Sequence, residues 1–189
     1  PPPPPPPPPP HFFFNAQAAI PDPLWSRGLG DVYKRQALKE IQVTIDAPYS
    51  IAHLKTDSHR PIICIAGGSG LAPMVSILHG VSEIVGNRHK PILYYGARTI
   101  ADVIGQEYFD TIPGFSSDQQ YIPIVSESEP QWTGATGMVH EYLQQNLDDN
   151  CKDHEYYIAG PPPMVDAVRR HLILDRGIPV EQLYYDRFY

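Results

Sequence analysis

From Ala37 to Tyr189 the apolar positions fall into two alternating patterns. The first is a short, nearly unbroken apolar run that ends in small or polar residues. Such runs are "PIICIAGG" from Pro61, "PILYYGAR" from Pro91, "YIPIVSES" from Tyr121, "EYYIAGPP" from Glu155 and "QLYYDRFY" from Gln182. Runs without alternation suit strands covered on both faces. The second pattern is helical spacing, expected over Met74–Val85, roughly 100–108, 137–146 and Met164–Asp175. In the last of these, Met164, Val165, Val168 and Leu172 share one face. Strands that alternate with helices imply βαβ units, and right-handed crossovers put helices on both faces. The expected fold is therefore α/β, a five-stranded parallel sheet of Rossmann-like type. Upstream, "EIQVTIDAPYS" alternates Ile41, Val43 and Ile45 with polar residues and reads as a separate, half-buried strand.

Residues 1–36 carry neither period. Pro1 to Pro10 is an unbroken proline tract, extended and without hydrogen-bond donors. It reads either as a ligand for a proline-recognising domain or, with "RGLGDVYKRQ", as translated adapter sequence foreign to the natural domain. The second reading is adopted, and the expected organisation is a low-complexity segment 1–36, a barrel remnant 37–58 and a nucleotide-binding domain 59–189.

In a parallel sheet, ligands bind beyond the carboxyl ends of the strands, and three of those ends are unusual here. The first is "CIAGGSGLAP", where Gly67, Gly68 and Gly70 allow a tight turn and close approach of backbone N–H groups. A helix follows, whose first N–H groups and partial positive charge suit a pyrophosphate. Pro73 fits the first turn of that helix, where a missing N–H costs little. The second end places Gly96, Ala97 and the permanent cation Arg98 at the rim. At the third, Gly160 is followed by Pro161, Pro162 and Pro163, a stiff turn. The bland reading of the glycines is a tight strand-to-helix turn and nothing more.

Residues 68–73, G-S-G-L-A-P, follow the dinucleotide fingerprint with proline in place of its third glycine, and the acid expected about 20 positions on is missing. An ordinary Rossmann dehydrogenase is therefore excluded. So is a P-loop, because no Gly-Lys-Ser or Gly-Lys-Thr follows the glycines. The net charge of −7 argues against nucleic acid as a partner. Two cysteines, Cys64 and Cys151, supply neither a disulfide framework nor a four-ligand metal site, and they suit a reducing compartment. No apolar run reaches about 18 residues, so no membrane span is expected, and the expected location is cytoplasmic.

Together, "CIAGGSGLAPMVSIL", "YYGART", "SESEPQWTGATGMVHEYL", "YYIAGPPPMVDAV" and "YYDRFY" resemble the nicotinamide-binding half of the ferredoxin–NADP reductase superfamily. The resemblance is strongest to the reductase component of bacterial multicomponent aromatic or alkene oxygenases, and it runs from about Lys39 to the last residue. "DAPYS" resembles the last strand of the family's flavin-binding barrel, with Ala47 and Ser50 where glycines are usual. The family's Arg-x-Tyr-Ser flavin motif and four-cysteine [2Fe–2S] module are absent, so the chain reads as the C-terminal part of a longer protein.

The resemblance implies hydride transfer from NADH to FAD and single-electron transfer onward to a [2Fe–2S] centre. FAD and the cluster would sit in upstream domains, and an oxygenase or ferredoxin component would be the partner. It implies that Gly67, Gly68, Ser69, Gly70, Leu71, Ala72 and Pro73 lie along the pyrophosphate and nicotinamide ribose. Gly96, Ala97 and Arg98 would face the adenosine side. Ala159, Gly160, Pro161, Pro162 and Met164 would flank the nicotinamide, and Asp186 and Phe188 would lie near the flavin. Ala159 stands where the family often has cysteine, and the change is expected to tune rate. No residue is assigned as catalytic and none as a metal ligand, because the cofactors carry the chemistry. Flavohaemoglobin-type and cytochrome b5 reductase-type enzymes share this half, and a non-catalytic nucleotide-binding module is the reading from a different class.

The acids Asp102 and Glu107 near Arg98 favour NADH over NADPH, since a second base is missing. Glu127 and Glu129 read as a solvated loop, Cys64 as a buried small hydrophobe and Cys151 as incidental in a polar loop. Trp132 packs either over the crevice or at the sheet edge. Of Tyr94 and Tyr95, one is expected in the core and one outside it.

Overall fold

β1, Ile62–Gly67, is buried at every position. Its period-two signal is missing because each face has its own cover. Cys64 and Ala66 point into one apolar cluster, Ile63 and Ile65 into another. The computed structural model describes residues 52–85, 90–127 and 130–188. The segment 1–36, the strand expected over Ile41–Ile45, Ala47, Ser50 and Glu129 lie outside them.

Among the described residues the other strands all run parallel to β1: β2 (Ile92–Ala97), β3 (Tyr121–Val125), β4 (Ala135–Thr136), β5 (Glu155–Gly160) and β6 (Leu183–Arg187). The sheet has six strands in the order β4-β3-β2-β1-β5-β6. The expected count was five. The addition is β4, whose two residues are too few to carry any periodic signal. The chain steps outward from β1 to β4 on one side, then crosses to β5 and β6 on the other. Strand order therefore reverses between β1 and β5.

Helices cover both faces, as the alternation predicts. α1, Leu71–Gly80, buries Leu71, Met74, Ile77 and Leu78 over one face and widens into a π turn at Val81–Val85. It begins three residues before the predicted start because the Gly68–Gly70 3₁₀ turn feeds straight into it. The helix expected near 100–108 is interrupted. A 3₁₀ turn at Ile100–Asp102 gives way to extended Val103, and only Gln106–Phe109 (α2) is helical after it. Another short helix, α3 (Ser117–Gln120), leads into β3. On the opposite face α4, Val139–Asn146, buries Val139 and Leu143, and α5, Pro162–Arg170, buries Val165 and Val168. Pro162 and Pro163 open α5, where missing N–H groups leave no intrahelical bond unmade.

Covering both faces corrects one expectation. Tyr94 and Tyr95 do point opposite ways, but both are buried, at 6% and 1% exposure, because the second face is also packed. Tyr156 and Tyr157 in β5 repeat the arrangement. Four of the buried phenols have an acceptor close by: Tyr95 donates to the Asp102 carbonyl, Tyr121 to that of Ile104, Tyr156 to that of Cys151 and Tyr157 to the Glu155 carboxylate. Cys151 is itself 3% exposed and part of the core, so its polar neighbours in sequence misrepresent its surroundings. Cys64 is fully buried as expected, and burial drives its thiol far up, away from the reactive thiolate.

Glycines set how closely these layers approach. A Cβ on Gly96 would overlap the Val139 side chain, and one on Gly67 would overlap Met164. These two positions therefore let the first turns of α4 and α5 come down onto the sheet. Gly70 is tighter: a Cβ there would overlap the backbone carbonyl of Ala159. Gly68 differs again. It has φ of 53°, and a Cβ there would meet nothing within 4 Å.

Two predictions follow from this packing. Gly70→Ala has to displace backbone and is expected to cost about 3 kcal/mol, whereas Gly68→Ala costs only the left-handed conformation, about 1 kcal/mol. Urea denaturation of both variants measures the difference, and equal losses would contradict it. Burial pushes the Tyr94 and Tyr95 phenols up to about 12, and drives those of Tyr121, Tyr156 and Tyr157 up as well. The native state thus holds these groups neutral. Their stabilisation is complete below the ordinary phenol value of about 10 and is lost as the pH climbs from there through about 12. Phenolate absorbance of the native chain at about pH 11 should fall short of the full complement, and urea should release the remainder.

Candidate functional site

The carboxyl ends of the strands bring together motifs that are far apart in the chain. Gly67 on β1 lies level with Gly96 on β2, Ala66 with Ala159 on β5, and Ala159 with Asp186 on β6. Gly160 lies level with Arg187, and the Phe188 N–H donates to the Gly160 carbonyl at 3.0 Å, carrying the pairing past the end of β6. Four sequence motifs therefore meet along one rim. At its centre is the reversal of strand order between β1 and β5, the position where doubly wound sheets bind ligands.

The turns after β1 and β5 flank that point. The first rises through Gly68 and Ser69, crosses the end of β5 at Gly70 and enters α1. The second leaves Gly160, passes Pro161 and enters α5. Each loop thus ends in a helix N-terminus; the start of α1 brings N–H groups that have no partner inside the helix, whereas Pro161, Pro162 and Pro163 carry none, so the first N–H of α5 is that of Met164. The contact between Gly70 and the Ala159 carbonyl draws the first loop over the second strand. Ser69 is exposed and Gly68 half-exposed, with open space where a side chain would project. This is the geometry that lets a phosphate approach main-chain N–H groups.

The remaining residues singled out in the sequence divide by burial. Ala72, Arg98 and Pro161 are exposed, and Pro73, Pro162, Met164 and Asp186 are half-buried, all at this end of the sheet. Phe188 is 40% exposed. Leu71, Ala97 and Ala159 are instead core residues, at 7%, 4% and 0% exposure, and their side chains join the cluster beneath α1. They can line a ligand only through their backbones. The Ala159 methyl shares its cluster with Leu71 and Met74, so a larger group there would press on α1 before it reached the rim. Gly67 and Gly96 make room for Met164 and Val139, as described above, and only Gly68 faces open space.

The charges at the rim were only partly read from sequence. Asp102 accepts from both the backbone N–H and the hydroxyl of Thr99, at 3.1 and 2.9 Å, and so caps the turn at Ile100–Asp102. Thr-x-x-Asp is a legible capping spacing. The Glu107 carboxylate folds back against Gly105 at the start of α2. Glu127, read as a solvated loop residue, carries the carboxylate that meets Arg98: its Oε1 lies 3.8 Å from Arg98 Nε, and the two side chains are 65% and 72% exposed. Two main-chain bonds hold them side by side. The Ser126 N–H donates to the Ala97 carbonyl and the Glu127 N–H to that of Arg98, at 3.0 and 2.8 Å, extending the β2–β3 ladder. Nothing in the sequence marks a strand pairing that continues past the strand ends. Trp132 takes its edge role, donating from Nε1 to the Ala135 carbonyl at 2.8 Å and packing on the core. Among the described residues, no group of three His, Cys, Asp or Glu is placed to hold a metal ion.

The oxidoreductase NAD-binding domain family matches residues 64–170. The chain is 37% identical over 155 residues to the reductase component of propane 2-monooxygenase from Mycolicibacterium goodii, covering 78% of this chain and 43% of that protein. It is 33% identical over 167 residues to the electron transfer component of anthranilate 1,2-dioxygenase from Acinetobacter baylyi, covering 87% of this chain and 47% of that one. Among solved structures, the ferredoxin reductase in carbazole 1,9a-dioxygenase superposes with a TM-score of 0.62 at 30% identity, over 72% of this chain and 40% of that one. The chain thus spans less than half the length of each. The match takes in the loop after β1, the β2 rim and the turn after β5, and this chain belongs to the oxidoreductase NAD-binding domain family.

Proposed function

We propose that the chain is the coenzyme-binding part of a flavin-dependent reductase, and that it takes NADH in preference to NADPH. The observation that carries this reading is the open space at Gly68, beside the crossing of Gly70 over Ala159, at the point where strand order reverses. A pyrophosphate fits there, because the loop presents main-chain N–H groups at the start of α1 without a Cβ in the way. Arg98 and Glu127 would bracket the adenosine end, and Gly160, Pro161 and Pro162 the nicotinamide end. Bound there, NADH would supply the hydride for a flavin, with single-electron transfer onward to an iron–sulfur centre. FAD and a [2Fe–2S] centre would be held by domains other than this one. The acceptor would be an oxygenase or ferredoxin component, in keeping with the relatives' names as reductase and electron transfer components.

The chain's own tasks are positional. The Gly68–Gly70 turn seats the phosphates, and the proline turn fixes one wall with little entropy left to lose. Asp186 and Phe188, tied to Gly160 through the extended β5–β6 pairing, put an acid and an aromatic ring beside that wall. Among the described residues no helix is long and apolar enough to cross a membrane. The two unpaired cysteines suit a reducing compartment, and the cytoplasm is proposed as its location.

Titration of the purified chain with NADH, followed by nicotinamide fluorescence or calorimetry, is expected to show saturable binding. Gly68→Ala should weaken it about tenfold, the cost of about one charge-assisted hydrogen bond, with the circular dichroism spectrum unchanged. Unaltered affinity in a folded Gly68→Ala chain would remove the loop from the site.

A further inference from the structure

One sequence motif occurs twice in the sheet. Ile65-Ala66-Gly67 closes β1 and Pro73-Met74-Val75 lies in the first turns of α1; Ile158-Ala159-Gly160 closes β5 and Pro163-Met164-Val165 lies in the first turns of α5. Five residues separate the two triplets in the first copy and two in the second. That difference decides where each methionine goes. The longer turn carries Met74 into the core, at 0% exposure. The short proline turn leaves Met164 half-buried at the rim. There its Sδ fills the space that a Cβ on Gly67 would take, and its Cε lies 2.8 Å from where a Cβ on Gly160 would stand. The Pro161 ring borders the same space.

We infer that Met164 is an oxidation site, and that its conversion to the sulfoxide by hydrogen peroxide closes the coenzyme crevice. This rests on the proposed binding of the coenzyme across the β1–β5 reversal. In the reaction a sulfur lone pair takes one peroxide oxygen, and an S–O bond forms as the O–O bond breaks. The departing hydroxide takes the proton of the transferred hydroxyl and leaves as water, so the sulfur loses two electrons and the peroxide gains them. A thioether needs no deprotonation first, so access decides which methionine reacts. Of the chain's three methionines, Met74 is sealed beneath α1. Met138 is 53% exposed but caps α4, whose first turn rests on β2 and not on the reversal. Both cysteines are buried. The new oxygen on Met164 has two places to go. Toward Gly67 and Gly160 the thioether already fills the gap, and an added atom would force α5 off the sheet. Toward solvent it enters the crevice between the two turns, as a bulkier and polar group beside the nicotinamide end. Either course opposes the coenzyme.

The test treats the purified chain with dilute hydrogen peroxide over time, maps each methionine by peptide mass spectrometry and measures NADH affinity by calorimetry. Affinity is expected to fall about tenfold, within the range for an extra group forced into packed space. The fall should follow Met164 sulfoxide and not Met138 sulfoxide, with the circular dichroism spectrum unchanged, and methionine sulfoxide reductases should reverse it. Each variant is then read against itself, before and after peroxide. Met138→Leu should keep the full loss. Met164→Leu, which has no sulfur to oxidise, should show none, whatever affinity it starts from. A loss that follows Met138, or that persists in Met164→Leu, overturns the inference and leaves the NADH site standing. Met164 sulfoxide that forms without any loss does the same, as does a Met164 that resists peroxide while Met138 reacts. If the untreated chain does not bind NADH, the binding reading and this inference fall together.

Discussion

The contact on which the site depends is backbone against backbone: Gly70, in the loop after β1, lies against the carbonyl of Ala159 near the end of β5. Hydrogen bonding already places β1 beside β5. The absence of a Cβ at Gly70 then lets the chain leaving β1 cross directly over its neighbour instead of arching away from it. α1 starts immediately after that crossing, and the Gly68 segment is left raised, with free space beside it. A side chain at Gly70 would lift the loop, tilt the first turn of α1 and fill the gap at the strand reversal. Close packing thus produces an opening, because contact at one residue fixes the clearance at the next but one.

The same economy of Cβ atoms recurs on the other face. Gly67 and Gly96 stand level on β1 and β2, and each receives a side chain from the first turn of a helix, Met164 of α5 and Val139 of α4. The N-termini of α1 and α5 therefore approach the same end of the sheet from opposite sides. Their partial positive charges converge there, in a chain whose overall charge is negative. Arg98 would add to that local positive field, but it is paired with Glu127 beyond the ends of β2 and β3. The positive character is thus concentrated at the glycine turn, and the proposed adenosine end carries a neutral pair.

Much of the architecture was legible because it is written in burial. Unbroken apolar runs such as "IICIAG" and "EYYIAG" can exist only where both faces are covered, and helices on both faces follow from that. The motif ends were legible too, since Gly-Gly-Ser-Gly and Gly-Pro-Pro-Pro restrict the backbone whatever surrounds them. What escaped was set by pairing and contact over long range. β4 is a strand because β3 offers it two residues of ladder, not because Ala135 and Thr136 prefer one. The helix near Ile100 breaks because Thr99 and Asp102 close a turn on themselves. Gly67 and Gly96 looked alike in function to Gly68, and only the position of Met164 and Val139 separates them. Glu127 was invisible as a partner because the bonds that bring it to Arg98 lie beyond the strands that sequence patterning can find.

The central claim is that the coenzyme lies across the β1–β5 reversal, on the turn that Gly70 holds down. Amide chemical shifts of the isotopically labelled chain, followed during an NADH titration, address it most directly. The account predicts that the largest changes fall at Gly68 to Leu71 and at the Gly160 and Met164 amides that flank the three prolines, with smaller ones at Arg98 and Glu127. The opposite ends of the strands, at Ile62, Ile92 and Glu155, should stay still. Changes concentrated at those opposite ends, with the glycine turn unmoved, would contradict it.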